Sequence, residues 1–531
     1  MLRDKSVEFT FPFCGIDLSG PFDEQKAAQM QDQSWAHTCA SGINVRAYEG
    51  LTGKVRGGSR QFLKKYVDAP VVGNWLIQEL NVLTKGGGST MQGSSSGRVV
   101  TLVAVSQGNV YTAKSGDSQW TLATNSTGTT PPLNFTGLVR STALNQKMWF
   151  ADGTNWVYLD PSVNTVYPWN ASDGSLPADN RGNKPRLICT WRGRVVLSGL
   201  LEDPQNWHMS AQLDPTNFNY APNPTLSTQA VVGNNSPAGT IGDVVTGLAP
   251  YNDDTLFMFG DHSIYLFKGD PMAGGQIDLV TDAIGGAWGI PWAKDPYGNI
   301  YFLSNRAAIY IMTPGQMPQR ISQQVEQILQ GYSLDETTVR LQWNDEQQGL
   351  HVFFTPTAAA ATTYHLFWEW RTGGWFQDLF ASSQFDPLCC CVFDGNEPGD
   401  RVGVIGSWDG YVRTFDSDAL NDDGTAVTSS VVIGPLVTKQ LDMMLLNNLQ
   451  AVLGETSGDV DYAIYVGKTA EAALSSSPIK SGTWSASRNN STLIRRSGHA
   501  VYVKLTSTDR WALERIRGYV QTQGTVQRRG K

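Results

Sequence analysis

The chain has 531 residues, 40% of them hydrophobic, and a formal net charge of −8. That length implies roughly three domains' worth of chain. The apolar fraction excludes a disordered polymer, and the acidic balance argues against a surface that holds nucleic acid by neutralising its phosphates. Charged residues are only 17%, beside 54 glycines and 10% aromatics, which is the composition of a turn-rich all-β protein.

Residues 1–42 read as an N-terminal arm. Val7, Phe9, Phe11 and Phe13 alternate with Glu8 and Thr10 as in a short strand, until Gly15, Gly20 and Pro21 break it. Residues 43–83 carry a strand from Ile43 to Tyr48, a turn, a strand from Phe62 to Val67 and another from Trp75 to Leu83. Between them lies a basic cluster, Lys54, Arg56, Arg60, Lys64 and Lys65. In an acidic chain it reads as a solvated or subunit-facing patch, or more sharply as a phosphate contact. Gly57-Gly58 is not a phosphate-binding loop, because no Gly-Lys-Ser/Thr follows it. Residues 84–97 have the Gly/Ser composition of a flexible loop.

From residue 98 a repeat emerges. Hairpin-like units, each an apolar run, a polar turn and a second run, start near Arg98, Lys147, Gly193, Asp254, Gly298, Gly349 and Arg401. Their spacing, about 44–61 residues, is close to one four-stranded propeller blade per unit. The expectation is a β-propeller over residues 43–427 with about seven blades (six or eight are the alternatives), residues 43–83 lending strands to the last blade. One helical stretch stands out, Ile321 to Leu329, with Ile321, Val325, Ile328 and Leu329 on one face and Ser322 as its cap. Residues 428–531 drop the blade pattern. Val460, Tyr462, Ile464 and Val466, then Val501, Val503 and Leu505, alternate as strands of a C-terminal β-sandwich-like domain with a basic tail.

Candidate chemistry is sparse. The carboxylates Glu202, Asp203, Asp253, Asp254, Asp345 and Glu346 all sit at turn positions, where acidic side chains bond the local backbone. A glycosidase would need two of them facing across a cleft. Ser115 to Trp120 resembles a sialidase Asp-box only weakly, and the acidic stretch Asp418 to Gly424 misses the calcium-loop spacing. His37, His208, His262, His351, His365 and His499 show no metal-binding spacing. Cys14, Cys39, Cys189, Cys389, Cys390 and Cys391 have no CxxC pair and read as small buried hydrophobes, the triplet alternating between two faces of a strand in a protein made in a reducing cytoplasm. No run approaches 18 apolar residues, so no membrane-crossing helix is expected. No catalytic, cofactor-binding or metal-binding residue is assigned.

Several stretches together resemble the propeller-containing tail nozzle, or packaged-DNA-stabilisation, proteins of short-tailed bacteriophages. They are Asn44-Val45-Arg46, Arg56-Gly57-Gly58-Ser59-Arg60, Phe257 to Pro271, Gly298 to Ser322 and Trp511 to Arg529. Gln61 departs from the proline expected at its position. The resemblance implies a non-enzymatic virion component, made in the bacterial cytoplasm. It would form a homo-oligomeric ring, usually a hexamer, below the portal and adaptor, touch other tail subunits such as fibres or spikes, close the channel and let genomic double-stranded DNA pass without sequence-specific binding. Two other readings stand beside it. One is a receptor- or glycan-binding propeller of the tail tip using tryptophans such as Trp169, Trp207 or Trp375 against a host cell surface, although such tryptophans are more often core. The other is a propeller glycosidase.

Overall fold

A computed structural model describes residues 5–20, 27–29, 35–48, 57–73, 75–86, 98–114, 116–128, 131–357, 363–395, 401–437 and 443–522. Seven antiparallel meanders make up the middle of the chain. Their innermost strands are Glu79–Gly86, Arg140–Leu144, Leu187–Trp191, Val245–Asn252, Trp292–Lys294, Thr337–Asn344 and Pro387–Asp394, and these define blades 1 to 7. Each blade then steps outward in chain order, except that the outermost strands of blade 2 (Thr124–Asn125) and blade 7 come from earlier in the chain. The hairpins visible in the sequence are the second and third strands of the seven blades; Thr255–Gly260 and Ile264–Lys268, for example, pair Phe257 with Leu266.

The chain is an all-β propeller because no blade can cover both of its own faces. Burial falls into seven apolar clusters, one between each pair of neighbouring blades. The ring closes through its ends. The inner strands of blades 7 and 1 lie side by side. The outer strand of blade 7 is Phe62–Lys65, which pairs antiparallel with Val412–Asp416 and immediately precedes blade 1 in the chain. The cysteine triplet behaves as its alternation predicts. Cys389 and Cys391 join the blade 7–blade 1 cluster, and Cys390 packs between blades 6 and 7.

Two sheets outside the ring face each other over a common core that includes Phe9, Met444, Ile464, Val503 and Ile516. One has the order Lys5–Phe9, Leu513–Thr522, Met444–Leu453, Thr492–Gly498. The N-terminal arm thus supplies an edge strand to the C-terminal sandwich. The other contains Ser429–Val437, Ala500–Ser507, Val460–Gly467 and Lys480–Trp484. It continues into the propeller, because Gly42–Ile43 pairs on one side with Ser430 and Val431 and on the other with Gln377 of blade 6.

Local expectations needed correction in three places. The strand expected from Trp75 begins only at Glu79 and runs to Gly86, so residues 84–86 are sheet rather than loop, while 87–97 lie outside the described residues. The strand expected over Ile43–Tyr48 is interrupted at Asn44, whose φ of 55° is left-handed. The helical stretch is a 3-10 turn, Gln323–Val325, followed by a single α-turn, Glu326–Leu329. Val325 and Leu329 are buried as its periodicity predicts, but the hydroxyl of Ser322 accepts from the amide of Ile309 at 3.0 Å instead of capping. Among the described residues no helix is long and apolar enough to cross a membrane.

Candidate functional site: the propeller–sandwich joint

The N-terminal part of the resemblance, Asn44 to Arg46 and Gly57 to Arg60, converges with Trp511 on one buried joint, whereas Phe257 to Pro271 and Gly298 to Ser322 lie in blades 4 and 5. Asn44 takes its left-handed conformation so that its side chain can turn into that joint. Its Oδ1 accepts from Arg60 Nε at 2.9 Å and from the amide of Leu379 at 2.8 Å, and its Nδ2 donates to Thr428 O at 2.8 Å. One side chain thereby ties the arm to blade 6 and to the start of the sandwich. Arg46 meets Asp378 of blade 6 in a bidentate pair at 2.8 and 2.7 Å, donates Nε–H to Gln347, and lies 3.8 Å from the ring centroid of Phe367. Arg60 forms a second bidentate pair with Asp422, at 3.1 and 2.7 Å, and is 3.9 Å from Asp378.

All four charged side chains are buried, so they are stable only as a set. Burial opposes the charge on Arg60, but Asp422 and Asp378 outweigh it and hold the guanidinium protonated. Burial likewise pushes Asp378 up, and Arg46, with help from Arg60, outweighs that and holds the carboxyl well below the usual range. His351 lies between the rings of Phe353 and Phe415 and 3.7 Å from Asp378, too long for a hydrogen bond. Burial pushes it down to about 4, so it is neutral in the joint.

The glycines of the signature make this approach possible. A Cβ on Gly57 would fall 2.1 Å from the ring of Phe11, and one on Gly58 would fall 2.3 Å from the carbonyl oxygen of Trp511. Ser59 donates its amide to that same carbonyl at 3.0 Å, and the Trp511 indole donates to Ser429 Oγ at 2.7 Å. Gln61 donates to Glu346 Oε1 and accepts from Gln347, each at 2.7 Å. The cavity enclosed among Arg46, Arg60, Gln61, Glu346 and Glu369 measures about 20 Å³. That is room for a single water molecule, not a substrate.

The basic cluster is therefore not one patch. Arg60 is an interior anchor and contacts neither solvent nor phosphate. Lys64 and Lys65 are surface partners of Asp416 at 3.4 Å and Asp423 at 3.6 Å. Lys54 and Arg56 lie outside the described residues. The acidic stretch Asp418 to Gly424 has a use the sequence did not disclose. Asp422 neutralises Arg60, and Asp423, at φ 47°, accepts from Arg413. The only sequence signal was a pair of adjacent acids far from a pair of conspicuous arginines.

The remaining candidates are dispersed. Trp169, Trp207 and Trp375 are core residues at 1%, 0% and 0% exposure, as the core reading of them expects, and offer no exposed glycan platform. Glu202 pairs with Arg181, Asp203 with Asn206, Asp254 with Arg192 and Asp345 with Arg401. The carbonyl of Asp253 accepts from Arg192. At the blade 4 turn the closing carboxylate is Asp243, which accepts from the amide of His262 and the hydroxyl of Ser263; Asp261 instead offers its carbonyl to Asn305 of the next blade. His208 meets Tyr220 at 3.0 Å and His365 meets Asp386 at 3.1 Å, while His262 lies exposed beside Asp261. His37 is exposed, and the amide of His499 donates to Gly467 O. Among the described residues no three His, Cys, Asp or Glu side chains are grouped to hold a metal ion.

No protein-family model matches the chain, and no curated protein matches it in sequence. Solved structures that resemble it include the extracellular domain of a two-component system, BT4673, from B. thetaiotaomicron, at 11% identity and a TM-score of 0.44, covering 75% of this chain and 46% of that one. They also include YCF48 from Cyanidioschyzon merolae, at 9% identity and a TM-score of 0.38, covering 67% of this chain and 98% of that one. A third is BBS1N in complex with ARL6DN, at 8% identity and a TM-score of 0.38, covering 70% and 99%. This chain spans less than half the length of the first of these. Likeness at this level carries no argument about fold or function; the β-propeller rests on the chain's own sheet order.

Proposed function

We propose that the chain is a structural subunit of the tail of a short-tailed bacteriophage. In this reading it is a nozzle or hub that assembles into a six-fold ring below the portal and adaptor, closes the DNA channel and lets the genome pass, without catalysing a reaction. The observation that carries the reading is the joint. Asn44, Arg46, Gly57, Gly58 and Arg60, the N-terminal part of the resemblance, are all spent on locking propeller to sandwich. A motif used this way serves rigidity rather than chemistry, as a load-carrying ring subunit requires.

The charge distribution supports association of copies. Residues 428–531 hold 13 Lys and Arg against seven Asp and Glu, a net of +6, which leaves −14 on residues 1–427 of the −8 chain. Opposite charge at the two ends favours a head-to-tail contact, the kind that closes into a ring. The test is native mass spectrometry and negative-stain imaging of the full chain across a range of salt. Six-fold rings that loosen as salt rises are expected. A chain that stays monomeric at low salt and tens of micromolar protein overturns the reading, as does hydrolysis of a host polysaccharide abolished by one carboxylate substitution.

A further inference from the structure

The axis of the propeller holds a group of buried charges that the joint does not use. Arg140 opens the inner strand of blade 2, Glu79 opens that of blade 1, and Arg340 lies on that of blade 6. Glu79 does not neutralise them both. Its Oε1 accepts from the amide and hydroxyl of Ser141, each at 3.2 Å, and its Oε2 stands 3.6 Å from Arg140 Nη1. Arg340 donates Nε–H to Leu388 O at 3.0 Å, while its buried Nη2 meets no acceptor among the described residues. Two guanidiniums and one carboxylate thus sit at 4–5% exposure with one positive charge in excess. An uncompensated buried charge is costly, and an anion arriving beside it offsets that cost. Burial and the neighbouring Arg340 push Arg140 down to about 9 and burial pushes Glu79 up, which fits poor mutual compensation.

Beside this group opens a cavity of about 640 Å³, lined by both arginines. That volume lies within the usual range of small-molecule sites. Arg140 also lines a second cavity, of about 260 Å³, so its side chain stands between the two. The walls are mixed: Leu138, Val244 and Trp288, 40–52% exposed, supply the apolar part, and threonines such as Thr246 and Thr338 the uncharged polar part. Asp261 and Asp335 also line the mouth. They disfavour a multiply charged anion, but Asp335 is exposed and Asp261 half-buried, so solvent screens them more than the buried arginines.

We propose that this axial cavity is a binding site for a small monocarboxylate with an apolar or aromatic body, its carboxylate turned to Arg140 and Arg340 and its body against Trp288, Leu138 and Val244. The site is independent of the ring reading, since it lies within one chain and asks nothing of a partner. The pairing is the one arginine favours, a planar fork facing a carboxylate.

The test is calorimetric titration of the full chain with three probes: benzoate, the uncharged benzyl alcohol, and inorganic phosphate. Benzoate is expected to bind at least roughly tenfold more tightly than either of the others. Arg340→Gln should weaken benzoate by about tenfold or more, and Trp288→Ala, at an exposed position, should weaken it with no change in fold. Glu79→Gln should strengthen it, because it removes the carboxylate that competes for Arg140. That direction cannot come from damage to the fold. The proposal is overturned if benzoate binds no better than benzyl alcohol, if Glu79→Gln weakens it, or if no benzoate binding is seen at millimolar concentration. Phosphate binding as tightly as benzoate, indifferent to Trp288→Ala, would overturn the apolar half of the site.

Discussion

Replacing Arg60 by methionine removes the guanidinium while keeping an apolar stem of similar length. Arg60 makes five hydrogen bonds, to Asn44, to the carbonyls of Gln61 and Leu379, and two to Asp422. Without it, the fully buried Asp422 keeps only the amides of Leu63 at 2.9 Å and Ala381 at 3.3 Å. Breaking a buried pair from one side costs about 3–5 kcal/mol, because the other charge is left uncompensated. Lys64→Met is the control from the same sequence cluster. Its side chain is 66% exposed with the ammonium 3.4 Å from Asp416, and its loss should cost under about 1 kcal/mol. The joint opens locally, so the assay is hydrogen–deuterium exchange resolved by peptide. Arg60→Met should accelerate exchange in peptides covering 42–46 and 374–381 by about two to nearly four orders of magnitude, and Lys64→Met by less than tenfold. Adding Asp422→Leu to Arg60→Met should recover part of the loss, since the orphaned charge goes with it. If the two single variants exchange alike, or the double variant is worse than the sum, the buried pair does not hold the joint.

Two further outcomes follow from the same region. Gly58→Ala places a Cβ 2.3 Å from the backbone oxygen of Trp511 and 3.0 Å from Ala512 Cα, so the sandwich strand must shift; a loss of about 1–3 kcal/mol is expected in urea unfolding, while Gly73→Ala, with open space around its Cβ, should be neutral. Unchanged midpoints in both would contradict the close approach. Acid should weaken blade 6 as well. His351 is pushed down to about 4 by burial, against about 6.5 when unfolded, so the unfolded chain binds the extra proton between those values. Stability is then full above pH 6.5, falls by up to about 1.4 kcal/mol per unit toward pH 4 and levels off below, whereas the depressed carboxyl of Asp378 gives way only at still lower pH. His351→Phe, which fits between Phe353 and Phe415, should flatten the exchange profile of residues 349–356 over that window; an unaltered slope assigns the effect to another group, such as His208, which burial also lowers to about 4.

The repeating β architecture was legible in the sequence because period-two burial and polar turns are local properties. Phe257 to Phe267 had to form a hairpin whatever surrounded it, and seven such hairpins at one spacing had to share their faces. The alternation of Cys389, Cys390 and Cys391 was legible for the same reason. The partners were not, because pairing is set by where distant segments meet. Arg60 and Lys64 are four residues apart in one basic stretch, yet one is interior and the other a surface side chain, since only Arg60 lies where Asp422 and Asn44 arrive. Arg140, Glu79 and Arg340 carry no motif at all and are separated by up to 261 positions; ring closure alone carries them to one axis. Local pattern determined the blades. Long-range closure decided which charges are buried together, because a charge's environment belongs to the assembled fold and not to its neighbours in sequence.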